Sequence, residues 1–146
     1  MVKFSANLGF LWADIPLPAA ILAAKSAGFD AVECHWPYDT VATEIVKALD
    51  DTGLAMLAIN TFKGDDEGGG FGLSAVPGQQ AAARLAIDQA IFFAAQIGAE
   101  AVHVMAGKAA GVEAKTVFEA NLAYACTRVL NYDLTILIEP LNPYDA

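Results

Sequence analysis

The chain has 146 residues, enough for one domain that buries about two thirds of its unfolded surface, and 56% of them are apolar. Seventeen acidic against eight basic residues leave a net charge of −9, which argues against nucleic-acid binding because that needs a basic footprint. No apolar run approaches the ~18 residues of a membrane span. The opening "MVKFSANLGF" also lacks the apolar core and cleavage site of a secretory signal, so a soluble, cytoplasmic protein with no membrane partner is expected. Two cysteines, Cys34 and Cys126, are too few for a disulfide scaffold and have no metal-type spacing, so both are expected to be free, packed thiols.

In chain order, the first apolar run is "VKFSANL" (2–8), followed by a helix from about Pro18 to Ala27 whose prolines suit a first turn. The strand "FDAVECH" (29–35) leads to a helix with Val41, Ile45, Ala48 and Leu49 on one stripe. After "LAMLAIN" (54–60) comes a long glycine-rich segment (61–78), then a helix with Ala83, Ile87, Ile91 and Ala94 on its apolar face. "AEAVHVM" (99–105) precedes a helix spacing Phe118, Leu122, Ala125 and Val129, and "LTILIEP" (134–140) closes the series. Three helices run into a glycine just before a strand, at Gly28, Gly53 and Gly98, where glycine supplies a left-handed cap. The fourth junction uses Asn131 and Asp133.

Five strands alternating with four helices make a parallel α/β sheet, because right-handed crossovers leave no other arrangement. The near-continuous apolar strands predict burial on both faces. An open doubly wound sheet and a (β/α)₈ barrel both satisfy this order. The first βα turn, "SANLGFLWADIP", has neither the dinucleotide nor the phosphate-loop fingerprint, which favours the barrel. A full barrel takes roughly 250 residues, so residues 1–146 correspond to the N-terminal portion of one.

Sites in such folds gather at the carboxyl ends of the strands. Those ends carry Asn7, Glu33 with His35, Asn60, His103 and Glu139. Each taken singly reads equally as a turn residue satisfied by nearby backbone; all five strands sharing the habit points to a site. Glu139 is the sharpest candidate, able to bind a divalent metal or move a proton. His103 suits a ligand, a shuttle or a donor to substrate, and Glu33 is preferred over His35. Lys63 and Lys108 follow strands three and four and are the cations best placed to meet a substrate carboxylate, or are simply solvated. Trp12 and Trp36 form an apolar wall for substrate or cover the barrel end. The 61–78 segment matches no phosphate-loop spacing, and Asp65, Asp66 and Glu67 would repel phosphate, so a mobile lid is the expectation. No Ser/His/Asp order stands out, and no covalent nucleophile is assigned.

The stretches "FSANLGFLW", "AGFDAVECHWPYD", "LAIN…KGD", "GLSAVPG", "AVHVMAG", "NLAYA" and "LIEPLNPYD" together resemble the hydroxypyruvate isomerase group of xylose-isomerase-like TIM barrels. The resemblance implies interconversion of hydroxypyruvate and tartronate semialdehyde, or of a related 2-oxo sugar acid, through an enediolate. It further implies two glutamates that do the proton work and share Mg²⁺ or Mn²⁺ with an aspartate and a histidine or glutamine. Glu139 matches the first glutamate, as general base and metal ligand, and the remaining ligands would fall beyond residue 146. His103 matches a histidine of the substrate pocket; Asn7, Glu33 and Asn60 fall at matching strand ends. One metal carboxylate does not close a site, and half a barrel has two open edges. The chain is then a fragment of a longer protein, a homo-oligomer joined through its open edges, or a non-catalytic remnant, and turnover by these residues alone is not expected. A sugar epimerase on the same scaffold is the alternative activity.

Overall fold

The structure, a computed structural model, describes residues 2–64 and 71–140. Within them five parallel strands form one sheet: β1 (Ser5–Asn7), β2 (Ala31–Cys34), β3 (Ala55–Asn60), β4 (Ala101–His103) and β5 (Thr135–Leu137). They are joined by helices α1 (Leu17–Ser26), α2 (Ala42–Thr52), α3 (Gln80–Ile97) and α4 (Gly111–Arg128). The strand order is β1-β2-β3-β4-β5. Each new strand therefore adds to the same edge, whereas a doubly wound sheet would reverse direction at a switch point. This is the five-strand, four-helix half of a (β/α)₈ barrel.

The expected helix ends are present for a local reason. At Gly28, with φ of +88°, Phe29 N–H donates to the Ala24 carbonyl and Gly28 N–H to that of Lys25. This closes α1 in a Schellman turn that a Cβ would strain. One helix face packs on one sheet face: Ile21, Ile45 and Ile87 meet Val32, Met56, Ile59 and Val102, all fully buried. At about 1.5–3 kcal/mol per buried aliphatic side chain, this layer supplies most of the stability. The opposite face of β2 to β4 is lined by small buried residues, Ala31, Ala58 and Ala101.

Several expectations need correction. The paired strands are shorter than the apolar runs, because a ladder needs a neighbour and the flanking residues turn into loops. Burial on both faces holds for the three central strands but fails at the edges: Phe4 is 65% exposed, and Leu137 and Ile138 of the β5 edge are 40% and 60% exposed. Val41 is the residue just before α2 and is exposed, so it does not belong to the buried stripe. On α4 the buried line runs through Ala114, Val117, Asn121 and Ala125. Phe118, Leu122 and Val129 are only partly buried beside it. Cys34 is buried as expected, but Cys126 is exposed on α4.

The 61–78 segment was expected to be a mobile lid. Its tip, 65–70, with Asp65, Asp66 and Glu67, lies outside the described residues, as do 141–146 of the "LIEPLNPYD" stretch. Residues 71–78 are tied down instead. Gly107 N–H donates to the Phe71 carbonyl, and Ser74 and Ala75 N–H groups donate to the carbonyls of Met105 and Ala106. A Cβ on Gly72 would lie 2.3 Å from the Met105 carbonyl oxygen, and one on Gly107 would lie 2.3 Å from that of Gly72. Two crossing backbones therefore require both glycines. Gly53, at φ +66°, has only its positive φ to lose. Gly53→Ala should cost about 1 kcal/mol and Gly107→Ala more than about 2 kcal/mol in urea unfolding. Equal costs would contradict the crossing.

Candidate active site

The strand register sets which side chains meet. Asn7 pairs with Glu33, and Asn60 with His103, which pairs in turn with Leu137. Directly paired residues share a face. With Val32, Cys34, Ile59 and Val102 committed to the helix layer, their neighbours Glu33, Asn60 and His103 line the other face, at the carboxyl ends of the strands. Glu139 lies two residues beyond Leu137 and so keeps its parity.

The centre of the cluster is His103. Its Nδ1 is 3.3 Å from Asn60 Oδ1 and 4.0 Å from Glu139 Oε2. Its side chain is 15% exposed, against 63% for Glu139, so the pair spans the boundary between pocket and solvent. Burial lowers the His103 pKa below the usual 6.5; the Glu139 charge opposes this and nearby His35 reinforces it. The same holds at His35, where burial again lowers the pKa while Glu33 and Glu139 oppose it. Both rings are therefore neutral at pH 7. In the tautomer that donates Nδ1–H to Asn60, His103 keeps Nε2 as an acceptor.

His35, over which Glu33 is preferred on sequence, is enclosed by its neighbours. Its ring packs edge-on to Phe10 and Trp36, at centroid distances of 4.9 and 5.1 Å. It also lies on Gly9, where a Cβ would sit 2.3 Å from its Nδ1. The glycine two residues after Asn7 was the available signal. Asn7 itself behaves as a turn residue: its Oδ1 accepts the Gly9 N–H at 2.9 Å and its carbonyl accepts the N–H of Leu11. It thus shapes the loop that His35 packs against. Trp12, at φ +56° in that loop, and Trp36 line one cleft of about 240 Å³ with His35 and Cys34. The residues that line this cleft do not include His103 or Glu139. The Cys34 thiol is pushed up to about 12, first by burial and then by Glu33, which leaves it protonated and unreactive.

The lysines flank the mouth. Lys63 Nζ stands 5.4 Å over the Trp36 ring and Lys108 Nζ 4.4 Å over that of Phe71. The "PYD" stretch, a 3₁₀ turn at Pro37–Asp39, has a structural duty: the Tyr38 hydroxyl donates to the Asn60 carbonyl and its ring packs on Phe93. Among the described residues no three His, Cys, Asp or Glu side chains converge as metal ligands. Glu139 and His103 alone do not make a divalent-cation site.

The profile of the xylose isomerase-like TIM barrel family matches residues 21–146. The chain belongs to that family. A human relative whose name includes hydroxypyruvate isomerase is 41% identical over 97% of this chain and 54% of its own length. A 2-oxo-tetronate isomerase of Haemophilus influenzae is 37% identical over 98% of this chain and 57% of its own. A solved structure from Brucella melitensis, described as an AP endonuclease of family 2, superposes with a TM-score of 0.90. It is 30% identical, and the match covers 99% of this chain and 57% of that one. The chain thus spans about half the length of the curated relatives it matches. None of the described helices of this family member is long and apolar enough to cross a membrane.

The buried neutral histidines give a pH signature. Their folded pKa values lie below 6.5, so below that pH the unfolded chain binds more protons and stability falls. The loss begins as pH drops through 6.5 and levels off below the folded values. NMR titration should show both rings ionising below 6.5. A ring titrating above it would contradict the placement.

Proposed function

We propose that this mouth is the substrate face of an aldose–ketose-type isomerase of the hydroxypyruvate isomerase group, acting on a small hydroxy-keto acid. The observation that carries the reading is the Glu139 carboxylate facing the neutral His103 imidazole across 4.0 Å at the strand ends. Converting hydroxypyruvate to tartronate semialdehyde moves one proton from C3 to C2 and another from the C3 oxygen to the C2 oxygen. Glu139 takes the C3 proton as general base, forming the enediolate, and then returns it to C2. His103, with Nδ1–H held by Asn60, accepts the hydroxyl proton at Nε2 and returns it to the neighbouring oxygen. Glu33 and His35 complete the polar wall, and Asn7 acts through the loop it shapes. Lys63 and Lys108 draw in the carboxylate, which the net charge of −9 would otherwise repel.

A divalent cation, Mg²⁺ or Mn²⁺, enters this proposal through Glu139 as one ligand of a set that the described residues do not complete. The partner is a small molecule in the cytoplasm, with no nucleic acid or membrane involved. The test is C3–H exchange of hydroxypyruvate in D₂O, followed by NMR with and without chelator. Exchange above the buffer rate should fall about 10²–10⁴-fold in Glu139→Gln; exchange unchanged in that variant would sink the assignment. Lys63→Ala and Lys108→Ala should raise KM for the acid but not for a neutral sugar. Equal KM effects would favour a sugar epimerase on the same scaffold.

The exposed β5 edge, with Leu137 and Ile138, favours a second reading: self-association through open edges. Sedimentation decides it. A concentration-dependent dimer without exchange activity supports the non-catalytic reading, and an active monomer removes it.

A further inference from the structure

We propose that Asn121, on the buried face of α4, is a positioning residue for the end of β4, and so for His103. The proposal rests on the isomerase reading only for its kinetic consequence. Four polar residues are buried among those described: Thr52, Thr61, Ser74 and Asn121. Thr52 caps its own helix, donating to the Ala48 carbonyl. The other three form one array around the backbone that follows His103.

Asn121 is fully buried, and its Nδ2 donates to the Ser74 carbonyl at 2.9 Å. Ser74 N–H donates to the Met105 carbonyl at 3.2 Å, and Ala75 N–H to that of Ala106 at 2.6 Å. From the other side, Met105 N–H donates to Thr61 Oγ1 at 3.0 Å, and Thr61 N–H to the His103 carbonyl at 2.9 Å. Residues 103–106 are thus gripped between the end of β3 and the 71–78 strap. That grip fixes the backbone from which the His103 ring reaches Asn60 and Glu139. Asn121 is the side chain that ties the strap to the helix layer.

The amide is itself held in place. Arg84 Nε donates to Asn121 Oδ1 at 3.4 Å, and its guanidinium lies 4.9 Å over the Tyr124 ring. The Tyr124 hydroxyl and Arg128 Nε both donate to Asp88, at 2.8 and 2.6 Å. The sequence stretches "GLSAVPG" and "NLAYA", which have no role in the proposed chemistry, thereby meet at Ser74 and Asn121. An amide at a fully buried position would be a liability unless its hydrogen bonds had a use.

Residue-resolved amide hydrogen exchange on the 146-residue chain tests this. Asn121→Leu keeps the branching at Cγ and removes the hydrogen bonds, with a larger side chain; Asn121→Ala removes the hydrogen bonds and shrinks the side chain. Arg84→Ala, at an exposed position, loosens the amide without touching the core. We expect Ser74, Ala75 and Met105 amides to exchange at least tenfold faster in Asn121→Leu and Asn121→Ala, and measurably faster in Arg84→Ala. Amides of Val32 and Ile45 should keep their rates. In C3–H exchange of hydroxypyruvate, kcat should fall while KM stays. Asn121→Leu exchanging like the parent, or a uniform rise across the chain, would show packing alone and overturn the proposal. Local loosening with kcat and KM both unchanged would also overturn it, leaving the isomerase reading intact.

Discussion

Parallel pairing fixes where the candidate side chains at the strand ends sit. Once Ala31 pairs with Ser5, and Ala101 with Ala58 and Thr135, the period of two leaves no freedom for the residues that follow. A slip of one residue in β4 would send His103 into the helix layer and put Val102 on the open face. The site is thus a by-product of packing: the aliphatic face that stabilises the sheet determines which side chains are left to face the mouth. The irregularity between Val32 and Cys34 in the β2–β3 pairing adds an extra β3 residue there, and the ladder still ends with Asn60 beside His103.

Electrostatics then differentiates the residues that the register brings together. His103 and His35 are buried enough to stay neutral, while Glu139 stands mostly in water at the rim. A neutral imidazole beside an accessible carboxylate suits the proton transfers proposed above. A buried ion pair in the same place would hold its charges fixed.

The sequence carried the fold well because its signals are local: apolar periodicity, and glycine caps at Gly28, Gly53 and Gly98. It carried the strand-end residues too, since a polar group closing an apolar run is visible in one dimension. Three features were not legible, each for a tertiary reason. Phe118 and Leu122 gave α4 a plausible apolar stripe, while the buried line passes through Asn121, whose partner is 47 residues away. The glycines in 71–78 suggested mobility, yet Gly72 is there for close approach to Met105. His35 was ranked below Glu33 because nothing in its own strand reveals that Gly9 and Phe10 fold over it. Edge exposure at β5 was invisible for a simpler reason, since Ile136, Leu137 and Ile138 look the same in an edge strand as in a central one.

The central claim is that one small anionic substrate meets Asn60, His103 and Glu139 together. Chemical-shift mapping by NMR during titration of the 146-residue chain with hydroxypyruvate tests it most directly. The account predicts saturable shifts at His35, Asn60, His103 and Glu139, with none at Glu100 or Thr135 near the opposite ends of the strands. Shifts confined to those opposite ends, or none at the His103 ring at saturating ligand, would contradict it.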